Sequence, residues 1–534
     1  MWLKKLLSVL ERPVVQNYSD RSIQGIALDS RRVRPDYLFA VVAGPHNDGV
    51  CYVPDAIAGG AVAVLASKMI EVPPNVALIL VPNVRQALAD LACQFYGHPA
   101  DMVVSVGVTG TCGKTTTATL VQWLLARAGR QAALISTVIN RVGAVCEKSS
   151  NTTPESPDLQ ALFGRMVEQR IRYAVMEVSS HSLDQERVRG IPFAVAALTN
   201  VTPHEHLDYH ITFENYLAAK ARLFESLSPA STAVLNADNP QCGFFRERCG
   251  AGKVLTYGLQ ATVDVTARIH HSSQRGTTLT LHTPAGRARV HSPLIGGYNV
   301  QNLLAGTACA LALEVPLDTI AAGIAQFAGA PGRLEPVDEG QPFTCLIDYA
   351  HNNDGLRSVL STLKPLAAPG RLIVIFGCGG DRDPSKRSLM GATATHWADV
   401  TVVTADNSRS EATEDIIQAI LKGVNPEAMC LVEPDRREAI RKAIALAEPG
   451  DIVVISGKGH EDYQDIGGVR YPFSDRDEAR RAIAQLRRKE SLPRARGPRE
   501  TELPKGNLPR VGNPREVERR ETELPTRANG LGVK

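Results

Sequence analysis

Along this chain the apolar positions recur with a period that switches between two and about 3.6, which separates candidate strands from candidate helices. Between 101 and 329, apolar runs at 102–107, 131–136, 173–178, 194–199 and 232–236 read as strands. Helical spacing lies between several of them, as in Leu120, Val121, Leu124 and Leu125. That alternation predicts a mostly parallel sheet covered by helices. From 262 to 292 the rhythm changes to residue-by-residue alternation around the turn Pro284-Ala285-Gly286, which predicts a small antiparallel meander added to the larger sheet. Helices are expected again at 298–314 and 317–328.

Residues 330–489 return to strict alternation. Strands are expected at 344–348, 372–376, 399–404, 429–432 and 451–456, with helices at 353–363, 388–397, 412–423, 436–447 and 475–488. This is the pattern of a doubly wound sheet, whose ligand crevice lies at the carboxyl ends of its strands. The polar loops 348–351, 377–387, 406–409 and 457–461 fall there. No GxGxxG follows the first strand, so a dinucleotide site is not expected. Residues 1–100 read as a smaller α/β unit, with strands at 26–28 and 37–42, a turn cluster at 44–49, and a helix then a strand within 56–66. Residues 490–534 are rich in Pro, Arg and Glu and repeat Arg-Glu-Thr-Glu-Leu-Pro at 499–504 and 520–525. Such a segment buries too little apolar surface to offset its ordering entropy, so a disordered tail without assigned function is expected.

Composition changes this picture little. Of 534 residues, 44% are hydrophobic and 22% charged, as in ordinary globular proteins. The net charge of +3 matches the excess in the tail, which holds ten Lys and Arg against seven Asp and Glu. The body is therefore near neutral, and no nucleic-acid face is expected. Ten cysteines without CxxC pairs suggest reduced thiols and a cytoplasmic protein. The N-terminal Met1–Leu7 stretch is interrupted by Glu11, Arg12 and Pro13 and does not read as a signal peptide. No stretch approaches the roughly 20 apolar residues of a membrane span.

Candidate chemistry starts at Gly107-Val108-Thr109-Gly110-Thr111-Cys112-Gly113-Lys114-Thr115-Thr116, a glycine-rich turn between a strand and a helix. Backbone N–H groups and a helix N-terminus can there meet phosphate oxygens. Lys114 can reach the terminal phosphates and the Thr115 hydroxyl can ligate Mg²⁺. The spacing departs from G-x4-G-K-[ST], since five residues separate Gly107 from Gly113. Glu177, ending a later strand, stands where a carboxylate would hold Mg²⁺. His206, in a run with His204 and His210, is either a further ligand or a surface group; zinc is the weaker alternative, because no matching Cys or His pair accompanies it. Asn299 and Asn302 share one helix face and could read a purine edge or cap the helix. Arg333 could contact phosphate or form an interdomain ion pair. Ser30 and His46 could contact a ligand or serve as turn residues. Arg382, Asp406, Asn407, Arg409 and Glu461 could together hold a zwitterionic amino acid.

Taken in order, the blocks 107–117, 177–187, 199–210 with Lys220, 298–302, Gly332-Arg333, 348–351, 377–387, 406–409 and 457–462 resemble the Mur ligases of cell-wall peptide synthesis. Within them the chain is most similar to the branch that adds meso-2,6-diaminopimelate to UDP-N-acetylmuramoyl-L-alanyl-D-glutamate. The resemblance spans about 20–485 and excludes the tail. It implies an α/β, three-domain architecture: a uridine domain (1–100), a central P-loop ATPase domain (101–329) and a C-terminal doubly wound amino-acid domain (330–489). It places UDP-substrate contacts at Leu28, Ser30, His46, Asn151, Thr152, Thr153, Ser179, Gln185 and Arg187. ATP would meet Gly110, Thr111, Gly113, Lys114, Thr115, Thr116, Asn302, Arg333, Asp348 and His351, with Asp348 on the ribose or ordering its loop. Mg²⁺ would meet Thr115, Glu177, His206 and Lys220, the last carbamylated by CO₂ into an anionic oxygen ligand. Diaminopimelate would meet Arg382, Asp406, Asn407, Ser408, Arg409, Gly457 and Glu461. Lys114, Lys220 and His206 would serve catalysis, in a monomer.

Two positions depart from the family pattern. Cys112 stands where an Asn is usual in the phosphate turn, and Ser408 replaces the Pro of Asp-Asn-Pro-Arg. Arg409 remains, and a second carboxylate, present in diaminopimelate and absent from lysine, is what it would pair with. The expected reaction passes through an acyl phosphate formed from ATP. Rival readings are the same ligase using lysine, a folylpolyglutamate synthase, and a nucleotide-dependent binding module without turnover.

Overall fold

The computed structural model describes residues 1–491 apart from 43, 45–47, 150, 204 and 261. The expectations for His46 and for the tail beyond 491 therefore lie outside the described residues.

The N-terminal sheet has five strands in the order Val14–Gln16, Ala77–Leu80, Ala61–Ala66, Tyr37–Ala40, Gly25–Ala27. All pair in parallel except the edge strand Val14–Gln16. Alternate residues of the inner strands enter opposite cores: Leu38, Leu65 and Ile79 on one face, Phe39, Val64 and Leu78 on the other. The helix Val84–Tyr96 covers the first face; Asn83 caps its start by accepting from Gln86 N at 3.1 Å, and Gly97, at φ +74°, ends it.

The central sheet has eight strands in the order Lys253–Tyr257, Thr232–Asn236, Phe193–Leu198, Val104–Thr109, Tyr173–Glu177, Ala132–Ile135, Ile139–Val142, Val145–Lys148. The first six run parallel, and the last two form an antiparallel hairpin on the edge. The five expected strands are all present. Lys253–Tyr257 and the hairpin were not foreseen: they are edge elements with mixed polarity, and Val145–Lys148 is exposed at every position. The meander is real, with strands Thr266–Ser273, Gly276–Thr283 and Gly286–Ser292, but it is a separate three-stranded sheet and not an addition to the larger one. Its apolar side chains Leu279 and Leu281 are buried in a core shared with Ile320 and Ile324 of the helix Leu317–Ala325, and one parallel bridge, Tyr257 to Val265, ties its start to the edge of the larger sheet.

The C-terminal sheet has six strands in the order Glu335–Val337, Thr344–Asp348, Ile452–Ser456, Leu372–Phe376, Val400–Val403, Cys430–Val432. Only Glu335–Val337 is antiparallel. The strand order reverses around Ile452–Ser456, so the loops after Asp348, Phe376 and Ser456 diverge from one crevice.

Gly332 sits in the linker before this sheet at φ +68°, and a Cβ there would stand 2.3 Å from His460 N. Gly332→Ala would add a left-handed penalty of about 1–2 kcal/mol and push the linker off the 457–461 loop. A lowered urea midpoint is the expected result.

Candidate active site

The strand Val104–Thr109 delivers the chain to a turn that needs glycine twice. Gly110 has φ +150°, and a Cβ there would lie 1.9 Å from Thr199 Oγ1; Gly113 has φ +86°, and its Cβ would lie 2.3 Å from Asn302 Oδ1. The helix Lys114–Arg127 begins at once, so its first N–H groups face the turn. Lys114 Nζ folds back onto Gly110 O and Thr111 O, both at 2.9 Å. Burial lowers its pKa, partly offset by Glu177.

Two residues of the 199–210 block that were assigned no role of their own brace this turn. Asn200 O accepts from Thr111 N at 2.8 Å, and Asn200 Oδ1 accepts from Cys112 N at 2.9 Å. Thr199 Oγ1 donates to Cys112 O at 2.6 Å. Cys112 thus acts through its backbone, and the change from Asn leaves the bracing intact. Its exposed thiol lies between cleft walls whose desolvation raises its pKa.

Glu177 is fully buried at the end of its strand. Its Oε2 accepts from Thr115 Oγ1 and Thr137 Oγ1, both at 3.1 Å, and its Oε1 from Thr137 N at 2.8 Å. A carboxylate beside two hydroxyls is an oxygen donor set that fits Mg²⁺, which keeps waters and substrate phosphates as its other ligands. Among the described residues no group of three or more His, Cys, Asp and Glu could hold a metal.

Lys220 is 1% exposed on the helix Phe213–Glu225 and donates to Gly110 O at 3.0 Å. Burial, then the neighbouring Lys114, holds its pKa well below the ordinary value, so the amine is readily neutral. Tyr216 lies between it and His206: its ring is 4.6 Å from Lys220 Nζ and 5.7 Å from the His206 ring. His206 is held at about 4 by desolvation, then by Lys114, His181 and Lys220. It is therefore neutral and a weak base at neutral pH.

Asn151, Thr152, Thr153, Ser179 and Arg187 line the same cleft of about 1350 Å³ as the phosphate turn, Glu177, His206 and Lys220. Arg187 donates to Thr153 O at 2.9 Å and pairs with Glu155 at 2.9 Å. Gln185 Oε1 accepts from its Nε at 3.0 Å and Nη2 at 2.6 Å, so Gln185 orients the guanidinium. Thr153 Oγ1 donates to Glu177 O and accepts from Ser179 N, tying this edge to the carboxylate strand. Leu28 and Ser30 do not line the cleft; Ser30 opens the turn Ser30–Arg32, which Asp29 caps.

Asn302, Arg333, Asp348 and His351 line the same cleft, the last three from the wall formed by residues 333–351. The two amides of the shared helix face divide their roles. Asn299 Nδ2 donates back to Ile295 O at 2.9 Å, whereas Asn302 reaches the phosphate turn. Asp348 orders its own loop by accepting from Leu334 N at 2.9 Å and Ala350 N at 2.8 Å. Arg333 stacks over Tyr349, 4.6 Å from the ring centroid, and its buried Nε has no hydrogen-bond partner. Tyr298 OH in the same cleft is also buried without a partner. Unpaired buried donors of this kind suit a polar ligand between the walls.

The amino-acid candidates form a second cluster and do not line this cleft. Arg409 (φ +51°) and Arg382 flank Gly379, where a Cβ would stand 3.0 Å from Arg409 Nη1 and 3.9 Å from Arg382 Cγ. Asp406 and Asn407 are buried, and Asn407 Nδ2 donates to Glu461 Oε2 at 2.9 Å. Gly457 has φ +119°, and a Cβ there would meet Asp406 Oδ2 at 2.5 Å. Ser408 is 2% exposed with its Oγ unpartnered, so the position of the family proline is filled by a buried side chain.

His210, buried against Ser180 Oγ at 3.0 Å, has its pKa lowered from 6.5 to about 4 by desolvation and then by His181. Below 6.5 the unfolded chain takes up a proton that the folded one refuses until about 4, so this stabilisation is complete above 6.5 and fades towards 4. The urea midpoint should fall between about pH 7 and about pH 5, and less steeply in His210→Gln.

Three family profiles match the chain: Mur ligase family, catalytic domain, over residues 22–96; Mur ligase middle domain over 108–310; and Mur ligase, glutamate ligase domain, over 332–459. The chain is 42% identical over 478 residues to the UDP-N-acetylmuramoyl-L-alanyl-D-glutamate–2,6-diaminopimelate ligase of Thermosynechococcus vestitus, covering 89% of this chain and 96% of that one. It is 42% identical over 492 residues to the enzyme of the same name from Geobacillus kaustophilus, covering 91% and 100%. A solved structure of a ligase of that name superposes with TM-score 0.63 at 34% identity over 87% of this chain and 95% of that one. MurF ligase from Thermotoga maritima, in complex with ADP, shares the fold with TM-score 0.60 at 19% identity, over 88% and 98%.

Proposed function

Because the chain belongs to the Mur ligase family, we propose that it joins meso-2,6-diaminopimelate to UDP-N-acetylmuramoyl-L-alanyl-D-glutamate with hydrolysis of ATP, in peptidoglycan precursor synthesis. The chain is an ATP-dependent ligase of three-domain architecture. The observation that carries the reading is that one cleft holds the phosphate turn, the Glu177–Thr115 pair and Arg187 together.

In this reading the backbone of Gly110–Gly113 and the start of the next helix cradle the ATP phosphates, and Lys114 swings from its own loop carbonyls to the terminal phosphates. Asn302 meets adenine, while Arg333 and His351 meet the nucleotide from the C-terminal wall. Thr115, Glu177, His206 and a carbamylated Lys220 would hold Mg²⁺, and the ion would supply positive charge to offset that of the phosphates. The neutral amine that burial favours at Lys220 is the form that reacts with CO₂. Asn151, Thr152, Thr153, Ser179, Gln185 and Arg187 would hold the UDP-dipeptide, with Leu28, Ser30 and His46 on its uridine.

The terminal carboxylate of the dipeptide attacks the γ-phosphorus and ADP leaves. The amine of diaminopimelate then attacks the acyl phosphate, an amide forms, and phosphate departs. The proton lost by the amine passes to solvent. Arg382 and Arg409 face carboxylates of the diamino acid and Glu461 faces an ammonium group. We place the domain boundaries at 1–100, 101–329 and 330–489, and the protein as a monomer in the cytoplasm. No helix among the described residues is long and apolar enough to cross a membrane.

The test is ADP release in the presence of ATP and Mg²⁺. Release should require both the UDP-dipeptide and the amino acid. Release with neither would indicate a plain ATPase and overturn the reading.

A further inference from the structure

The 457–461 loop carries a lysine that the roles above leave unused. Lys458 is fully buried, with its ammonium 5.3 Å from the Tyr463 ring centroid. Its Nζ donates to Asn407 Oδ1 at 3.0 Å and to Glu461 Oε2 at 2.9 Å. Asn407 Oδ1 also accepts from Asp465 N at 2.9 Å, while Asn407 Nδ2 donates to the same Glu461 oxygen. A buried ammonium donates only, so it fixes which end of the Asn407 amide is oxygen. Glu461 Oε2 receives two donors, and its second oxygen is left for another partner. The Glu461 side chain keeps 18% exposure while Lys458 has none. The carboxylate is thus the half of the pair that a ligand can reach.

We propose that Lys458 is a positioning residue of the diamino-acid site, whose buried ammonium holds Asn407 and Glu461 in the orientation that receives the substrate's cationic end. This rests on the assignment of diaminopimelate to the cluster around Arg409 and Glu461. The ammonium balances the Glu461 carboxylate inside the protein, so the loop stays formed when no substrate is bound. Without that cation, Glu461 would turn towards solvent and Asn407 would lose the donor that sets its amide. The substrate would then have to organise the site as it binds.

The experiment is steady-state kinetics on the full chain, with phosphate release read against each substrate in turn, for Lys458→Met and Lys458→Arg beside the unaltered protein. Lys458→Met should raise KM for diaminopimelate about tenfold to a hundredfold, the scale of charge-assisted hydrogen bonds. KM for ATP and for the UDP-dipeptide should move less than about threefold. Lys458→Arg, which keeps a buried donor cation, should recover part of the loss. If Lys458→Met does not fold, the double variant Lys458→Met/Glu461→Gln, with no buried charge left alone, is compared with Glu461→Gln. In the Glu461→Gln background the lysine change should then raise KM for diaminopimelate less than about threefold, because it acts mainly through Glu461. Equal losses for all three substrates, an unchanged KM for diaminopimelate in a folded Lys458→Met, or a further rise of about tenfold or more in the Glu461→Gln background would overturn the proposal. An unaltered protein that does not use diaminopimelate would instead overturn the substrate reading, and the proposal with it.

Discussion

Lys114→Met should lower kcat by about a hundredfold to a thousandfold, the loss seen when a single preorganised donor to developing charge is removed. In the free protein Lys114 Nζ holds two carbonyls of its own turn, Gly110 O and Thr111 O. Those bonds hold the ammonium in place before ATP arrives. Methionine keeps the length of the side chain and removes the charge, so the turn keeps its glycines and its brace from Thr199 and Asn200. The fold should survive, because burial already disfavours the charged form of this lysine. The expected pattern is therefore a large fall in phosphate release with an unchanged urea midpoint. A parallel loss of stability would mean that Lys114 is a structural member of the turn.

Arg436→Met should produce the largest loss of stability. Among the described residues Arg436 is the largest fully buried side chain, and Asp475, its partner, is also fully buried. Its Nε and Nη2 pair with the two Asp475 oxygens at 2.7 Å each. Its Nη1 donates to Ala405 O at 3.0 Å, and Nη2 also donates to Ser456 O at 2.9 Å. Those carbonyls immediately precede Asp406 and Gly457, so one guanidinium anchors both amino-acid loops to the helix Asp475–Ser491. Removing it leaves a buried carboxylate alone, at a cost of about 3–5 kcal/mol. Because the damage is local, the C-terminal segment should unfold first, and a multiphasic urea curve is expected. Lysine cannot reproduce the bidentate pairing, so Arg436→Lys should be nearly as damaging. Arg436→Met/Asp475→Leu, which leaves no lone charge, should recover part of the loss.

How much of this was legible beforehand depended on how local each signal is. The phosphate turn could be read because its glycines, Lys114 and Thr115 are contiguous between an apolar run and a helical one. Glu177 could be read because it ends the apolar strand Tyr173–Glu177, whose tip must lie beside that turn in a parallel sheet. Thr137 and Asn200 could not. Each is a single polar residue in a loop after a strand, and only the sheet order brings Thr137 to Glu177 and Asn200 to the turn. Lys458 was hidden for another reason: a lysine between two glycines reads as exposed, and its burial depends on Asn407 from a different loop. Edge strands such as Val14–Gln16 and Val145–Lys148 lack the apolar runs that marked the buried strands, so they escaped as well. The separation of the amino-acid cluster from the nucleotide cleft is a property of how the segments pack, which no single stretch encodes.

Phosphate release with ATP, Mg²⁺ and UDP-N-acetylmuramoyl-L-alanyl-D-glutamate, comparing meso-diaminopimelate with L-lysine, tests the account most directly. In the proposed reading Arg409 and Arg382, which both stand beside Gly379, would pair with carboxylates of the amino acid, and lysine has only one carboxylate. Release with diaminopimelate and little or none with lysine is the predicted result. Equal or preferred use of lysine would contradict the role given to Arg409 and would point to the loop around the buried Ser408 as remodelled for another substrate.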